Sequence, residues 1–132
     1  MDYKDILDKA FTAMTHAYAP YSKYYVGACV KCKDGSYFLG ANIENASYGA
    51  TNCGERSAVF AAYSNGYHKD DIESIAIVTS GDRIGYPCGI CRQVLSELLN
   101  EDTPIVLSNG KFVKITTIME LLPFQFNQED IK

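Results

Sequence analysis

Two short cysteine-bearing segments, Cys53-Gly54-Glu55-Arg56 and Pro87-Cys88-Gly89-Ile90-Cys91, each stand where a helix is predicted to begin. Thiolates are good zinc ligands, and a catalytic zinc usually takes three protein ligands and keeps one position open for water. If Cys53, Cys88 and Cys91 share one ion, two helix N-termini far apart in sequence must meet at one point. A fourth cysteine would close such a site and make it structural. Helix N-termini carry partial positive charge and free N–H donors, which favour thiolate. The fold must therefore bring two helix starts together.

The hydrophobic pattern supplies elements that can do this. Ile6, Leu7, Ala10, Phe11, Met14 and Tyr18 recur at helical spacing and predict a helix over residues 2 to 18, ended by Pro20. A strand follows over 25 to 33, Asp34-Gly35 signals a hairpin, and 36 to 43 returns. Residues 45 to 52 read as a loop, and a helix runs from Cys53 to the Asn65-Gly66 stop. A buried-type strand (74 to 79), a loop (80 to 87) and a helix (88 to 100, with Val94, Leu95, Leu98 and Leu99 inward) come next. A strand at 104 to 107, the Asn109-Gly110 turn, a strand at 112 to 115 and a short helix at 118 to 122 complete the chain. This order predicts an α/β layer structure around one mixed sheet of five strands, a single domain over 1 to 132.

The chain has 132 residues, 47% hydrophobic and 21% charged, a globular balance that can bury a core without disulfides. A formal net charge of −4 and a pI near 5.1 weigh against a nucleic-acid partner. No apolar run approaches the roughly 18 residues of a membrane span. The charged start Met1-Asp2-Tyr3-Lys4-Asp5 is unlike a signal peptide, so a cytoplasmic location is expected. Five cysteines in such a chain point to thiols or metal ligands. Cys29 and Cys32 form a second Cys-x-x-Cys, but in an alternating strand they point to opposite faces and read as packing residues. His16 and His68 read as solvated surface residues.

Glu55, two residues after Cys53, can reach a water at the metal without being a ligand, and a carboxylate there can shuttle protons. Three thiolates and one Zn²⁺ sum to a formal −1, which would blunt the ion's effect on water. Activated water needs a pKa of about 7. Arg56, acting through a cysteine sulfur, is expected to offset that charge, and Arg92 stands near enough to help. Taken singly, a Cys-x-x-Cys is as readily structural or redox-active, and Glu55 a solvated helix-face carboxylate. Together, a Cys-x-Glu at one helix start and Pro-Cys-x-x-Cys at the other match the general pattern of zinc nucleobase deaminases.

The chain resembles the small homotetrameric cytidine deaminases along nearly its whole length. The resemblance is carried by Ala19-Pro20-Tyr21-Ser22, Val26-Gly27-Ala28, Asn42-Ile43-Glu44-Asn45-Ala46, Cys53-Gly54-Glu55-Arg56, Pro87-Cys88-Gly89-Ile90-Cys91-Arg92-Gln93 and Glu120-Leu121-Leu122-Pro123. It implies a three-layer α-β-α sandwich with a mixed five-stranded sheet, one Zn²⁺ per subunit, and hydrolytic deamination of cytidine and 2′-deoxycytidine to the uridines plus ammonia. Glu55 would protonate N3 of the base and then the leaving amine. Asn42 and Glu44 match the ribose-binding pair; two apart at a strand end, they also share a face on spacing alone. Without the resemblance, an edge-strand or turn role is the alternative reading of both. Tyr24 falls where the family commonly has Phe facing the pyrimidine. Gly54, replacing the usual Ala, and the backbone around Cys88 match base-contacting positions. Ala46 and Tyr48 match a loop lining an adjacent subunit's pocket, and Phe126, with Phe124 as rival, the aromatic lent to a neighbour's site. Two other readings stay open: a deaminase of a related nucleoside or free base, and a non-enzymatic module stabilised by structural zinc.

Overall fold

The computed structural model describes residues 2–131. Its elements are α1 (Lys4–Met14), β1 (Val26–Cys32), β2 (Tyr37–Ala41), α2 (Gly54–Ser64), β3 (Ile72–Thr79), α3 (Gly89–Leu98), β4 (Ile105–Ser108), β5 (Val113–Thr116) and α4 (Ile118–Leu121). Single 3-10 turns lie at Tyr48–Ala50, Lys69–Asp71 and Gln128–Ile131. The turn glycines Gly35 and Gly110 have φ of +92° and +93°, as tight hairpins require.

The five strands form one sheet in the order β2-β1-β3-β4-β5. Only β3 and β4 are parallel, with α3 as their crossover; the other neighbours are antiparallel. Alternation sorts the strand side chains between two cores. Val26, Ala28 and Val30 of β1 join Ile75, Ile77, Ile105 and Leu107 against α2, α3 and α4. Cys29, Ala76, Val78 and Val106 face α1, where Ile6 and Ala10 cover them. Each fully buried Ile or Leu contributes about 2 kcal/mol. One helix on one face and three on the other make the expected three-layer α-β-α sandwich.

Two glycines let the helices lie directly on the sheet. A Cβ on Gly27 would overlap the carbonyl of Ala10 and stand 2.5 Å from Met14 N, so α1 rests on bare backbone there. A Cβ on Gly40 of β2 would overlap Ala58 N and stand 2.5 Å from Gly54 O, so α2 does the same on the opposite face.

The first helix is shorter than its apolar spacing predicts. It ends at Met14 rather than running towards Pro20. The hydroxyls of Thr12 and Thr15 bond back to Asp8 O (3.1 Å) and Thr12 O (2.6 Å), which weakens a helix's last turn. Tyr18 is then drawn into backbone bonding with Asn42 and Glu44 beyond β2, at 2.9 and 2.8 Å, and its side chain is exposed. Tertiary pairing overrides the periodicity.

Asp5 fastens α1 to the β1–β2 hairpin by accepting from Tyr37 Oη (2.6 Å) and Lys31 Nζ (3.0 Å) on one oxygen. The Tyr37 hydroxyl, then Lys31, hold its carboxyl down at about 2 from an ordinary 3.8. A depressed carboxylate stabilises the fold above its unfolded pKa and loses that contribution as pH falls through its folded one. Thermal stability should therefore drop between pH 3.8 and about 2, and melting of Asp5→Asn should respond less over that window. Equal slopes for the two proteins would refute the role.

Candidate active site

The two cysteine segments meet. Cys53 is the N-cap of α2 and Cys88 the N-cap of α3, and neither helix has a side-chain cap, so its first N–H groups remain free for the sulfurs. Cys91, one turn into α3, is buried. The three Sγ atoms all lie within 4.8 Å of one another. With Zn–S bonds of about 2.3 Å, one zinc can span that spacing. The donors fit chemically as well: Arg56 Nη2 donates to Cys53 Sγ at 3.3 Å. A hydrogen bond from the Cys91 thiol, then the Arg56 guanidinium, pulls the Cys53 thiol down to about 5. Cys91, sharing that proton and buried, is pushed up. A thiolate is thus already favoured here, and a dication in place of the shared proton satisfies all three sulfurs.

Glu55 lies in the first turn of α2 and is only 5% exposed. Burial pushes its carboxyl up to about 7, with the Cys53 sulfur adding to the effect. A group poised there takes and returns a proton near neutral pH. Arg56 Nε is buried with no hydrogen-bond partner among the described residues. Arg92, expected to ease the charge of the thiols, does something else. Its Nε donates to Pro87 O (2.8 Å) and its Nη1 to Leu121 O (2.7 Å), so it braces the loop before Cys88 against the end of α4.

Glu55, Cys53 and Cys88 line a cleft of about 240 Å³. Asn42 and Glu44 both face into it, as their spacing predicts, while Ile43 between them is exposed. Asn42 is clamped at both ends of its amide: Oδ1 accepts from Val26 N (2.9 Å) and Nδ2 donates to Tyr24 O (2.8 Å). Glu44 accepts from the backbone N–H groups of Tyr21 (3.0 Å) and Ser22 (3.1 Å) and from the Ser22 hydroxyl. These donors, the Ser22 hydroxyl foremost, lower its pKa and keep it anionic. Tyr24 forms a wall of the cleft, its ring edge against Gly81 and its hydroxyl over Gly85.

Gly54 is buried beneath the cleft, close to Val26 and Ala41. Ala46, Tyr48 and Phe126 do not line the chain's own cleft. Tyr48 is exposed and meets Tyr21 edge-on at 5.7 Å, and Phe126 is held through its carbonyl by Gln93 Nε2 at 2.8 Å. His16 and His68 are exposed. Ser22, Thr51, Thr79 and Tyr86 also line the cleft. Sequence reasoning assigned them no role; Ser22 alone carried a signal, as the polar end of Ala19-Pro20-Tyr21-Ser22.

Comparison with known proteins agrees with this geometry. The family described as "Cytidine and deoxycytidylate deaminase zinc-binding region" matches residues 1–107. A cytidine deaminase of Halalkalibacterium halodurans is 49% identical over 133 residues, 99% of this chain and 98% of that one. Another, of Sporosarcina psychrophila, is 40% identical over 132 residues, covering 99% and 96%. The crystal structure of cytidine deaminase from Burkholderia pseudomallei superposes with a TM-score of 0.91 at 41% identity, covering 96% of this chain and all of that one. With the cysteines, the neighbouring glutamate and the mixed sheet in place, the chain belongs to the zinc-binding cytidine and deoxycytidylate deaminase family.

Proposed function

We propose that the chain is a hydrolase that deaminates cytidine and 2′-deoxycytidine, releasing uridine or 2′-deoxyuridine and ammonia, in pyrimidine salvage. The observation that carries this is the buried Glu55 beside three convergent thiols, in a cleft whose other wall holds Asn42 and Glu44. The full-length likeness to enzymes named cytidine deaminase supports it.

Cys53, Cys88 and Cys91 would hold the zinc, and the chemistry it would supply when bound is Lewis acidity that makes water a nucleophile near neutral pH. Glu55 would take a proton from the attacking water and pass it to N3 as the water oxygen bonds to C4. Through the same carboxyl Glu55 would then move the proton of the new C4 hydroxyl to the C4 amino group, which leaves as ammonia as the C4–N bond breaks and the C4 carbonyl forms. Its carboxyl at about 7 suits both directions of transfer. Arg56, donating to Cys53 Sγ, withdraws charge from the ligand set. Glu44, kept ionised, and the clamped Asn42 present an acceptor and an amide to the sugar hydroxyls, and the negative charge of Glu44 disfavours a 5′-phosphate. Tyr24 and the backbone at Gly54 and Cys88 frame the base.

The test is a panel of cytidine, 2′-deoxycytidine, cytosine, dCMP and adenosine, followed by loss of the aminopyrimidine absorbance. Turnover of the first two is expected. Activity confined to dCMP or to the free base would refute the assignment.

The reading extends to a homotetramer of single 1–132 domains with shared sites. Its supports are the exposure of Leu39, Ile43, Phe60 and Phe124, and the position of Ala46, Tyr48 and Phe126 outside their own cleft. Light scattering in solution should give four times the 14.6 kDa chain mass; a monomer that turns over cytidine at full rate would overturn it. Among the described residues no helix is long and apolar enough to cross a membrane. Five free thiols support a cytoplasmic setting.

A further inference from the structure

The wall that Tyr24 contributes is held by a residue with no side chain. A Cβ placed on Gly85 would overlap the Tyr24 hydroxyl and stand 2.9 Å from Thr79 Cγ2 and 3.0 Å from Thr79 Oγ1. One on Gly81 would meet Tyr24 Cε1 at 3.3 Å. Glycine is not required at 85 by backbone conformation. Among the described residues only Gly35, Gly66 and Gly110 have positive φ among the glycines, so the backbone at 85 accepts any L-residue. What position 85 supplies is space, and the tyrosine hydroxyl fills it.

The other end of Tyr24 is fixed by the sugar-facing residues. Its N–H donates to Ser22 Oγ at 3.0 Å, and its carbonyl accepts from Asn42 Nδ2 at 2.8 Å. Ser22 in turn donates to Glu44. Gly85 N donates to Thr79 Oγ1 at 3.3 Å, which ties the loop to the end of β3. The ring thus bridges two walls of the cleft. It also separates the cleft from an open basin of about 720 Å³ lined by the 81–86 loop.

We propose that Tyr24 and Gly85 are a matched pair: the tyrosine hydroxyl occupies the space of a side chain at position 85, making Gly85 a positioning residue that sets the aromatic wall and, through it, substrate affinity. A phenylalanine at 24 would remove the tightest of these contacts and leave only those with Thr79. Any side chain at 85 forces the tyrosine ring into the cleft or out towards the basin. The atoms nearest a Cβ at 85 belong to Tyr24 and Thr79 rather than to a metal ligand or Glu55, so the effect falls on binding. Its consequence for substrate rests on the nucleoside reading above; the pairing itself does not.

The test is a cycle of wild type, Gly85→Ala, Tyr24→Phe and the double variant, each zinc-loaded, read by crystal structure and by cytidine kinetics. Gly85→Ala should displace the Tyr24 ring and raise KM about tenfold, with zinc content kept and kcat within about threefold. In the Tyr24→Phe background, measured against Tyr24→Phe itself, the same change should raise KM by less than about threefold. If Gly85→Ala fails to fold, recovery of soluble protein in the double variant supports the pair. An unmoved ring beside Ala at 85, an equal KM effect in both backgrounds, or a double variant that also fails to fold overturns it. A wild type inert towards cytidine would refute the proposed function instead, leaving the crystal structures to decide the pairing.

Discussion

Glu55→Ala is expected to cost several orders of magnitude in kcat while the protein keeps its zinc. A positioned acid–base group is worth about 10²–10⁴-fold. Here one carboxyl serves two proton transfers, so its loss should reach the upper end or beyond. Retention of the metal follows from the geometry, since the three sulfurs converge without the carboxylate. Stability should hold or rise, because an ionisable group only 5% exposed is costly to bury and its burial serves the reaction. Steady-state rates with cytidine, metal analysis and a melting curve on one preparation separate the outcomes. Normal turnover would sink the mechanism. Loss of zinc together with activity would recast Glu55 as a ligand.

Gly40→Ala should be severely damaging to the face of the sheet on which the site's helix α2 rests. Its Cβ would overlap Ala58 N and stand 2.5 Å from Gly54 O and 2.9 Å from Ser57 Cβ. Two of these neighbours are helix backbone, so relief requires moving α2 bodily. Overpacking of this kind costs about 3 kcal/mol, or roughly 10 °C in melting temperature for a domain of this size. The helix that must move begins at Cys53 and Glu55. Zinc should therefore be lost to chelators faster and kcat should fall in the protein that remains folded. A variant melting within about 2 °C of wild type would show that the contact yields easily.

Both helix starts were legible because a cysteine segment, a following apolar period and a glycine or polar stop mark α2 and α3 in the chain itself. The opposite facing of Cys29 and Cys32 was legible for a similar reason: strand periodicity is a local property. Strand order was not, because periodicity reports that a face is buried and never against what. The end of α1 was misplaced since Pro20 looks like a terminator, whereas Tyr18 is claimed earlier by backbone bonds to residues beyond β2. Arg92 was misjudged by proximity in sequence; on a helix, the residue after a ligand points away from it, here towards two carbonyls. Ser22 and Gly85 became functional only when the fold laid one beneath Glu44 and the other beneath Tyr24.

The strand cysteines have a practical consequence. Cys29 and Cys32 are fully buried, one in each core, and burial pushes their thiols up to about 12 and about 11. Thiolate is the reactive form, so both are silent to alkylating reagents in the folded protein. The remaining cysteines are the metal cluster. Every thiol that a native-state assay detects is therefore a zinc vacancy, and colorimetric titration before and after chelation should read metal occupancy directly. Labelling of Cys29 or Cys32 would instead report unfolding, giving one reagent two separate dials on the same molecule.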